Sequence, residues 1–376
     1  MLTTSFYPDV GGAEFLSAEL AKGLVNNGLR VIFLAREKSL PYPAWEGTPH
    51  IDFRPVIATV GIAGFVKSIF KVFRGLAGEH FEILHAHFAL TPGLIALPLA
   101  FLRKVPLVVT SPGSDIIAAE KTAYGRILRA TDSILTRIVL RFSSAHVILC
   151  QAMLPHALAS GSDPAKVHVI YPGVHDPSAH VSYESYIPQF PGLDRTNAMI
   201  LFVGRLVKKK AAEDLVKATA WILKALPDAR IIIAGDGPER VKLTKMAREL
   251  APDDRISFPG TVTEDERYAL LERCNVFVIP STDAEGMPHI LLEAIAFAKP
   301  IVATNIPPFR EVLAQTNTTV LVPVNSPEAL AKGIITLAER FRHHVREEER
   351  PRNMFGIERM VKGYTKLYHE ILARAT

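Results

Sequence analysis

Apolar residues recur at helical spacing from Phe15 to Val25, and after Asn27-Gly28 the β-branched run from Val31 to Leu34 has strand character. That couplet sets the rhythm of the chain. Short apolar runs at 81–84, 106–110, 145–149, 166–170, 199–203, 229–234, 256–259, 275–280 and 301–304 predict further strands. Helical patterns fill 211–226, the charged stretch ending at Leu250, the apolar run from Pro288 to Ala298, and the tail 350–376 beyond Pro351. Strand and helix alternating in two halves predict an α/β protein of two doubly wound, Rossmann-like domains facing across a cleft. The region 177–197 breaks the rhythm; poor in period and rich in Pro, Ser and Tyr, it reads as a linker.

One stretch carries paired carboxylates. In EGMPHILLEA, Glu285 and Glu293 stand eight positions apart, behind the strand pattern of 275–280 and the polar residues 281–284. Pro288 suits the first helical position, where its missing N–H costs nothing. Glu285 and Gly286 then fall in a loop at the positive end of a helix, with Glu293 about 7.5 Å along its axis. Free N–H groups and the helix dipole attract a phosphate-bearing ligand there, and the two carboxylates can accept bonds from sugar hydroxyls. Spacing alone is met as well by a solvated Glu285 and a Glu293 that merely favours its helix.

A chain of 376 residues, 48% apolar and 22% charged, is ordinary for a soluble protein of two or three domains. Cys150 and Cys274 lie far apart in apolar surroundings, which suits a reducing compartment and core positions. No His/Cys cluster has metal-site spacing. No signal-peptide pattern is present, and the apolar stretch 90–102 is too short and too Pro-rich for a membrane span. The net charge of +5 is mild and no nucleic-acid motif accompanies it, so anionic substrates or a membrane surface fit better than DNA or RNA. Two segments are both basic and greasy: 64–76, with Lys67, Lys71 and Arg74, and 124–142, with Arg126, Arg129, Arg137 and Arg141. Each reads either as a helix for an anionic lipid surface or as a core helix with a solvated basic face.

The run FVIPSTDAEGMPHILLEAIAFAKPIVAT, 277–304, resembles the signature of retaining glycosyltransferase family 4, the group with the Glu-x7-Glu motif. The loop Pro-Ser-x-x-x-Glu-Gly, the second Glu followed by Ala, and Lys-Pro-Ile-Val-Ala-Thr come in the family's order. The resemblance extends over nearly the whole chain and implies the GT-B arrangement. It implies an N-terminal acceptor-side domain over 1–175, onto which a C-terminal helix at about 357–376 packs back, and a nucleotide-sugar domain over 176–356. Gly204-Arg205-Leu206, with Lys210 five residues on, matches the family's diphosphate-binding pair. Lys208 and Lys209 read as surface residues. Donor contacts are implied for Gly11, Gly12, Arg205, Lys210, Val262, Glu285, Gly286, Met287, Pro288, His289, Ile290 and Glu293, and catalytic roles for Arg205, Lys210 and Glu285. His87, in a His-x-His at the end of the 81–84 strand, and Asp115 are acceptor-side candidates; for the histidines a neutral structural role reads equally well. Gly235-Asp236-Gly237-Pro238 is a weak signal whose value lies in its order.

Departures from the family are Pro112 where relatives often have His, Ala211 where they usually have Gly, and Pro307-Pro308 near a usual Gly-Gly pair. The first strand, left only 1–5, is either short or begins upstream. The resemblance implies a cytoplasmic, metal-independent hexosyltransferase of glycan or cell-envelope biosynthesis, peripheral on the inner face of a membrane if the basic segments bind lipid. Its co-substrates would be a UDP- or GDP-sugar and a hydroxyl acceptor, lipid-linked or polysaccharide, with no cofactor. A nucleotide-sugar epimerase and a catalytically silent GT-B binding protein are the alternatives; products formed from donor alone, or transfer by purified protein, separate them.

Overall fold

The computed structural model describes residues 1–7, 11–46, 48, 50–57, 61–117, 130–177, 198–251, 255–282, 285–314, 318–341 and 355–375. They form two compact α/β units, one within Met1–Ala119, Arg126–Gly173 and Phe355–Thr376, the other within Val174–Met354. The linker pattern of 178–197 lies outside the described residues.

The first unit runs α1 (Gly12–Asn26), β1 (Val31–Arg36), β2 (Ile51–Ile57), α2 (Gly61–Gly75), β3 (Leu84–His87), α3 (Thr91–Arg103), β4 (Leu107–Ser111), α4 (Ala130–Phe142), β5 (Ala145–Ile148), α5 (Leu154–Ala159) and β6 (Val167–Val169). β3, β4, β5 and β6 pair in that order and β1 pairs with β2, all parallel. Leu2 joins the two sheets, bridging Leu34 of β1 and Ala86 of β3. Met1, Leu2 and Thr3, within the expected first strand, are hydrogen-bonded to Ile32 and Leu34 on one side and to His85 and His87 on the other. β3 lies three residues beyond the run expected at 81–84, so His85 and His87 are inside the strand and buried rather than past its end. A helix over Ile357–Ala375 completes this unit, setting Val361 where a side chain on Gly23 would stand and burying Tyr364 and Tyr368.

The second unit contains β7 (Met199–Val203), α6 (Ala212–Ala225), β8 (Arg230–Ala234), α7 (Arg240–Leu250), β9 (Ile256–Gly260), α8 (Glu264–Arg273), β10 (Val276–Ile279), α9 (His289–Ala296), β11 (Ile301–Thr304), α10 (Pro307–Leu313), β12 (Thr319–Val322) and α11 (Pro327–Arg340). Its parallel sheet has the order β12-β11-β10-β7-β8-β9. Ile200, Phe202, Ile231, Val276 and Val278 share one core with Leu215 and Ile222 of α6, Leu243 of α7 and Ile334 of α11. The residues between them, Leu201, Ile232, Phe277 and Ile279, point to the opposite face and are buried as well. Burial on both faces is why these strands read as unbroken apolar runs. The winding reverses between β7 and β10, and ligands of open α/β sheets lie beyond the carboxyl ends of strands at such a reversal.

Candidate functional site

After β7 the chain turns through Gly204 and exposed Arg205, while buried Leu206 and Val207 anchor the loop. The Leu206 N–H donates to the Asp236 carbonyl at 2.8 Å, and the Gly204 N–H to Ala234 at 3.0 Å. The approach is so close that the loop after β8 must be glycine. A Cβ on Gly235 would lie 1.9 Å from the Gly204 oxygen and one on Gly237 2.5 Å from that of Leu206, both residues having positive φ. A single turn over Lys208–Lys210 follows, and Ala211 starts α6 in the left-handed region at φ 48°, ψ 35°. Glycine would fit there without a Cβ penalty.

On the other side of the reversal, β10 leads to Ser281, whose hydroxyl is buried without a hydrogen-bond partner among the described residues. The Thr282 N–H donates to the Lys209 carbonyl at 2.9 Å and Thr304 donates to that of Ser281. The β7 and β10 loops are therefore sewn together. Glu285 is buried, and Lys210 Nζ lies 2.9 Å from its Oε1 in an ion pair. Lys209 faces the same carboxylate. Burial lowers its ammonium below the ordinary lysine value, Glu285 opposes that, and Lys210 and Arg205 add to it. The sequence pattern put Lys209 with Lys208 on the surface; Lys208 is exposed, but Lys209 is half-buried in a cationic group with Arg205 and Lys210. A lysine run looks like a solvated face until the fold shows what stands opposite.

Pro288 is the N-cap of α9 (φ −74°, ψ 129°) rather than its first helical residue, and its own side chain makes no capping hydrogen bond. The N–H groups at the start of α9 lack intrahelical acceptors, as at any helix start, and Gly286 and buried Met287 lead into them. One turn on, Glu293 is buried against α8. Arg267 Nε donates to its Oε2 at 2.8 Å and Arg267 Nη2 to its Oε1 at 3.0 Å. Burial raises the Glu293 carboxyl; Arg267 and His175 pull it down, and Glu264 pushes it up. His289 is buried beside them, its imidazole lowered to about 3 by burial, with Arg267 and His175 acting in the same direction. Sequence reading missed Arg267, because EDERYALLER looks like a charged surface helix; its one cue is the buried run Tyr268–Leu271 alongside. Val262 lies half-buried in the loop between β9 and α8.

Gly11, Gly12, His87 and Asp115 belong to the first unit. Gly11 is the N-cap of α1, at whose first residue Gly12 stands. His85 is fixed by Tyr368 Oη on Nδ1 (2.7 Å) and Thr110 Oγ1 on Nε2 (2.8 Å). His87 stacks on it at 4.4 Å between ring centroids, with both nitrogens unpartnered among the described residues, and burial lowers it to about 3. Asp115 accepts from Ser111 Oγ (2.7 Å) and the N–H groups of Ala89 (2.9 Å) and Gly113 (3.4 Å), while burial raises its carboxyl. It thereby anchors the loops after β3 and β4, including Phe88 at φ 79°. Among the described residues no group of three His, Cys, Asp or Glu could hold a metal ion.

Comparison with known proteins matches the two halves separately. Residues 10–176 match the model of Glycosyltransferase Family 4 and 186–352 that of Glycosyl transferases group 1. The chain is 24% identical to N-acetyl-alpha-D-glucosaminyl L-malate synthase of Bacillus anthracis over 97% of its own length and 96% of the relative's. It is 26% identical to phosphatidyl-myo-inositol mannosyltransferase of Mycobacterium leprae, covering 87% of this chain and 83% of that one. Among solved structures, sucrose-phosphate synthase from Thermosynechococcus elongatus superposes with a TM-score of 0.81 at 19% identity, covering 99% and 96%. Anabaena HepE in complex with UDP and glucose superposes at 0.76 with 18% identity, covering 98% of each chain.

Proposed function

From the premise that this chain is a glycosyltransferase of the GT-B fold, we propose that it moves a sugar from a nucleotide-diphosphate sugar to a hydroxyl acceptor with retention of configuration. One observation carries the reading. The Lys210–Glu285 ion pair spans the reversal between β7 and β10, with Glu285 three residues before the Pro288 N-cap of α9. As the glycosidic bond breaks, negative charge develops on the leaving diphosphate. Arg205, Lys209, Lys210 and the first N–H groups of α9 offset it electrostatically, in a site fixed before reaction. Glu285 holds hydroxyls of the transferred sugar and Glu293 those of the ribose. The acceptor attacks on the leaving-group face, and its proton passes to the departing phosphate oxygen. The HepE complex with UDP and glucose supports a nucleotide-sugar donor at this kind of site. A panel of nucleotide sugars tests the reading by thermal stabilisation, since a ligand that binds the folded state adds RT ln(1 + [L]/Kd); no shift with any UDP- or GDP-sugar counts against it.

The acceptor in this proposal is a lipid-linked or polysaccharide glycan precursor met at the inner face of a membrane. α2 carries Lys67, Lys71 and Arg74 with Phe70 65% exposed, and α4 carries Arg137 and Arg141 with Phe142 57% exposed; residues 124–129 lie outside the described chain. Apolar insertion plus about 1 kcal/mol for each basic residue near an anionic surface supports peripheral binding. No helix among the described residues is long and apolar enough to cross a membrane. Co-sedimentation with phosphatidylglycerol vesicles but not phosphatidylcholine vesicles is the expected result.

A further inference from the structure

We propose that Arg267 is a positioning residue for the donor: its guanidinium locks the orientation and negative charge of the Glu293 carboxylate, so that a lone pair it leaves free meets a ribose hydroxyl. The proposal rests on the reading of Glu293 as the ribose acceptor. Its geometry is independent of that reading. Nε and Nη2 of Arg267 form a planar two-pronged grip on both oxygens of Glu293, at 2.8 and 3.0 Å, and the guanidinium also lies 5.2 Å from the centre of the Tyr268 ring. A fork of this kind fixes a carboxylate plane in a way a single ammonium does not. A carboxylate has about four acceptor positions, and Arg267 takes two. The position left on each oxygen lies at an outer edge of the carboxylate, so the plane that Arg267 fixes sets the direction from which a hydroxyl is met.

The charge matters as much as the angle. Glu293 is 4% exposed, and an isolated buried carboxylate takes up a proton rather than remain charged. Of the groups facing it, Arg267 is the strongest influence opposing burial. Glu264 on α8 works the other way and His175 gives lesser help; Tyr268 feels the same carboxylate, and His289 lies near Arg267 and His175. Without Arg267 the carboxyl should protonate at a pH where the parent protein keeps it ionised, replacing an acceptor by a donor.

The test is calorimetric titration of the full chain with UDP and with GDP from pH 8.5 to 6, in the parent, Arg267→Met, Arg267→Lys and Glu293→Gln proteins. Glu293→Gln should weaken the nucleotide that binds by about tenfold or more at every pH. In Arg267→Met the deficit relative to the parent should widen as pH falls, approaching tenfold per pH unit below the shifted carboxyl value. Taking that difference removes the titration of His175, common to both. Arg267→Lys, which keeps the charge without the fork, should abolish the widening while leaving a constant severalfold loss. An Arg267→Met protein that binds like the parent, or with a deficit that is the same at every pH, overturns the proposal. Unweakened binding by Glu293→Gln, or no binding of either nucleotide by the parent, overturns instead the donor-site reading beneath it. If Arg267→Met does not fold, Arg267→Gln carries the same comparison, keeping N–H donors and losing the charge.

Discussion

Lys210 and Glu285 come from loops on opposite sides of the strand-order reversal, and their charged atoms meet at 2.9 Å with both side chains largely withdrawn from water. A buried pair of this kind is weak evidence for stability but strong evidence of what must stay together, because removing one partner strands the other.

Arg205→Ala and Lys210→Ala should each abolish most turnover. By analogy with lost oxyanion-stabilising groups, the barrier rises by about 2.7–4 kcal/mol, roughly a hundredfold to a thousandfold in kcat. Lys210→Ala should also lower the melting temperature, because Glu285 is left buried and unpaired. The double change Lys210→Met with Glu285→Gln should recover the melting temperature but not the activity. Steady-state kinetics and a thermal melt of the same samples separate the two effects; full activity in both single variants would refute the assignment.

Ala211 holds a left-handed backbone that costs an L-residue about 1–2 kcal/mol. Ala211→Gly relieves this, less roughly 0.4–1 kcal/mol for the greater freedom glycine gives the unfolded chain. A small net gain in the urea midpoint is expected, and a clear loss for Ala211→Val.

Gly235→Ala meets the Gly204 carbonyl and forces a residue at φ 133° out of its backbone conformation. A loss of about 3 kcal/mol or more is expected, or about 6–12 °C at about 2–4 °C per kcal/mol for a unit of this size. Gly75→Ala, whose new methyl meets no atom of the described residues within 4 Å beyond its own helix backbone and chain neighbours, is the control and should change little.

How far the residues announced this arrangement depends on what surrounds them. The runs at 199–203 and 301–304 are strands to the residue, because they are covered on both faces and carry no competing signal. β2 gave no such signal: Ile-Asp-Phe-Arg-Pro-Val-Ile is half-exposed at an edge, with a proline and two charges in it. β3 slipped by three residues because His85 and His87 count as polar in a pattern, although their neighbours bury both. The Arg205, Lys210, Glu285 and Glu293 set was legible as a motif in chain order. Their partners Arg267 and Lys209 were not, since a charge that faces another element has the same letter as one that faces water.

Acid should destabilise the first unit well above the carboxylate range. His87 and His146 are buried and neutral when folded, lowered to about 3 and about 4 by burial, but ordinary in the unfolded chain. Between those values and about 6.5 the unfolded state binds more protons, so stability is complete above about 6.5 and lost as pH falls, by about 1.4 kcal/mol per pH unit for each group. His87→Phe keeps the stacked shape on His85 and removes one of them. Urea midpoints at pH 7.5 and pH 5 should therefore lie closer together in the variant than in the parent.

The central claim is that the notch between the β7 and β10 loops grips a departing diphosphate. A crystal structure of the chain with its stabilising nucleoside diphosphate tests it most directly. The account predicts the diphosphate at the first N–H groups of α9, within reach of Arg205 and Lys210, and the ribose hydroxyls on Glu293. A nucleotide bound elsewhere, with Lys210 and Glu293 untouched, would contradict it.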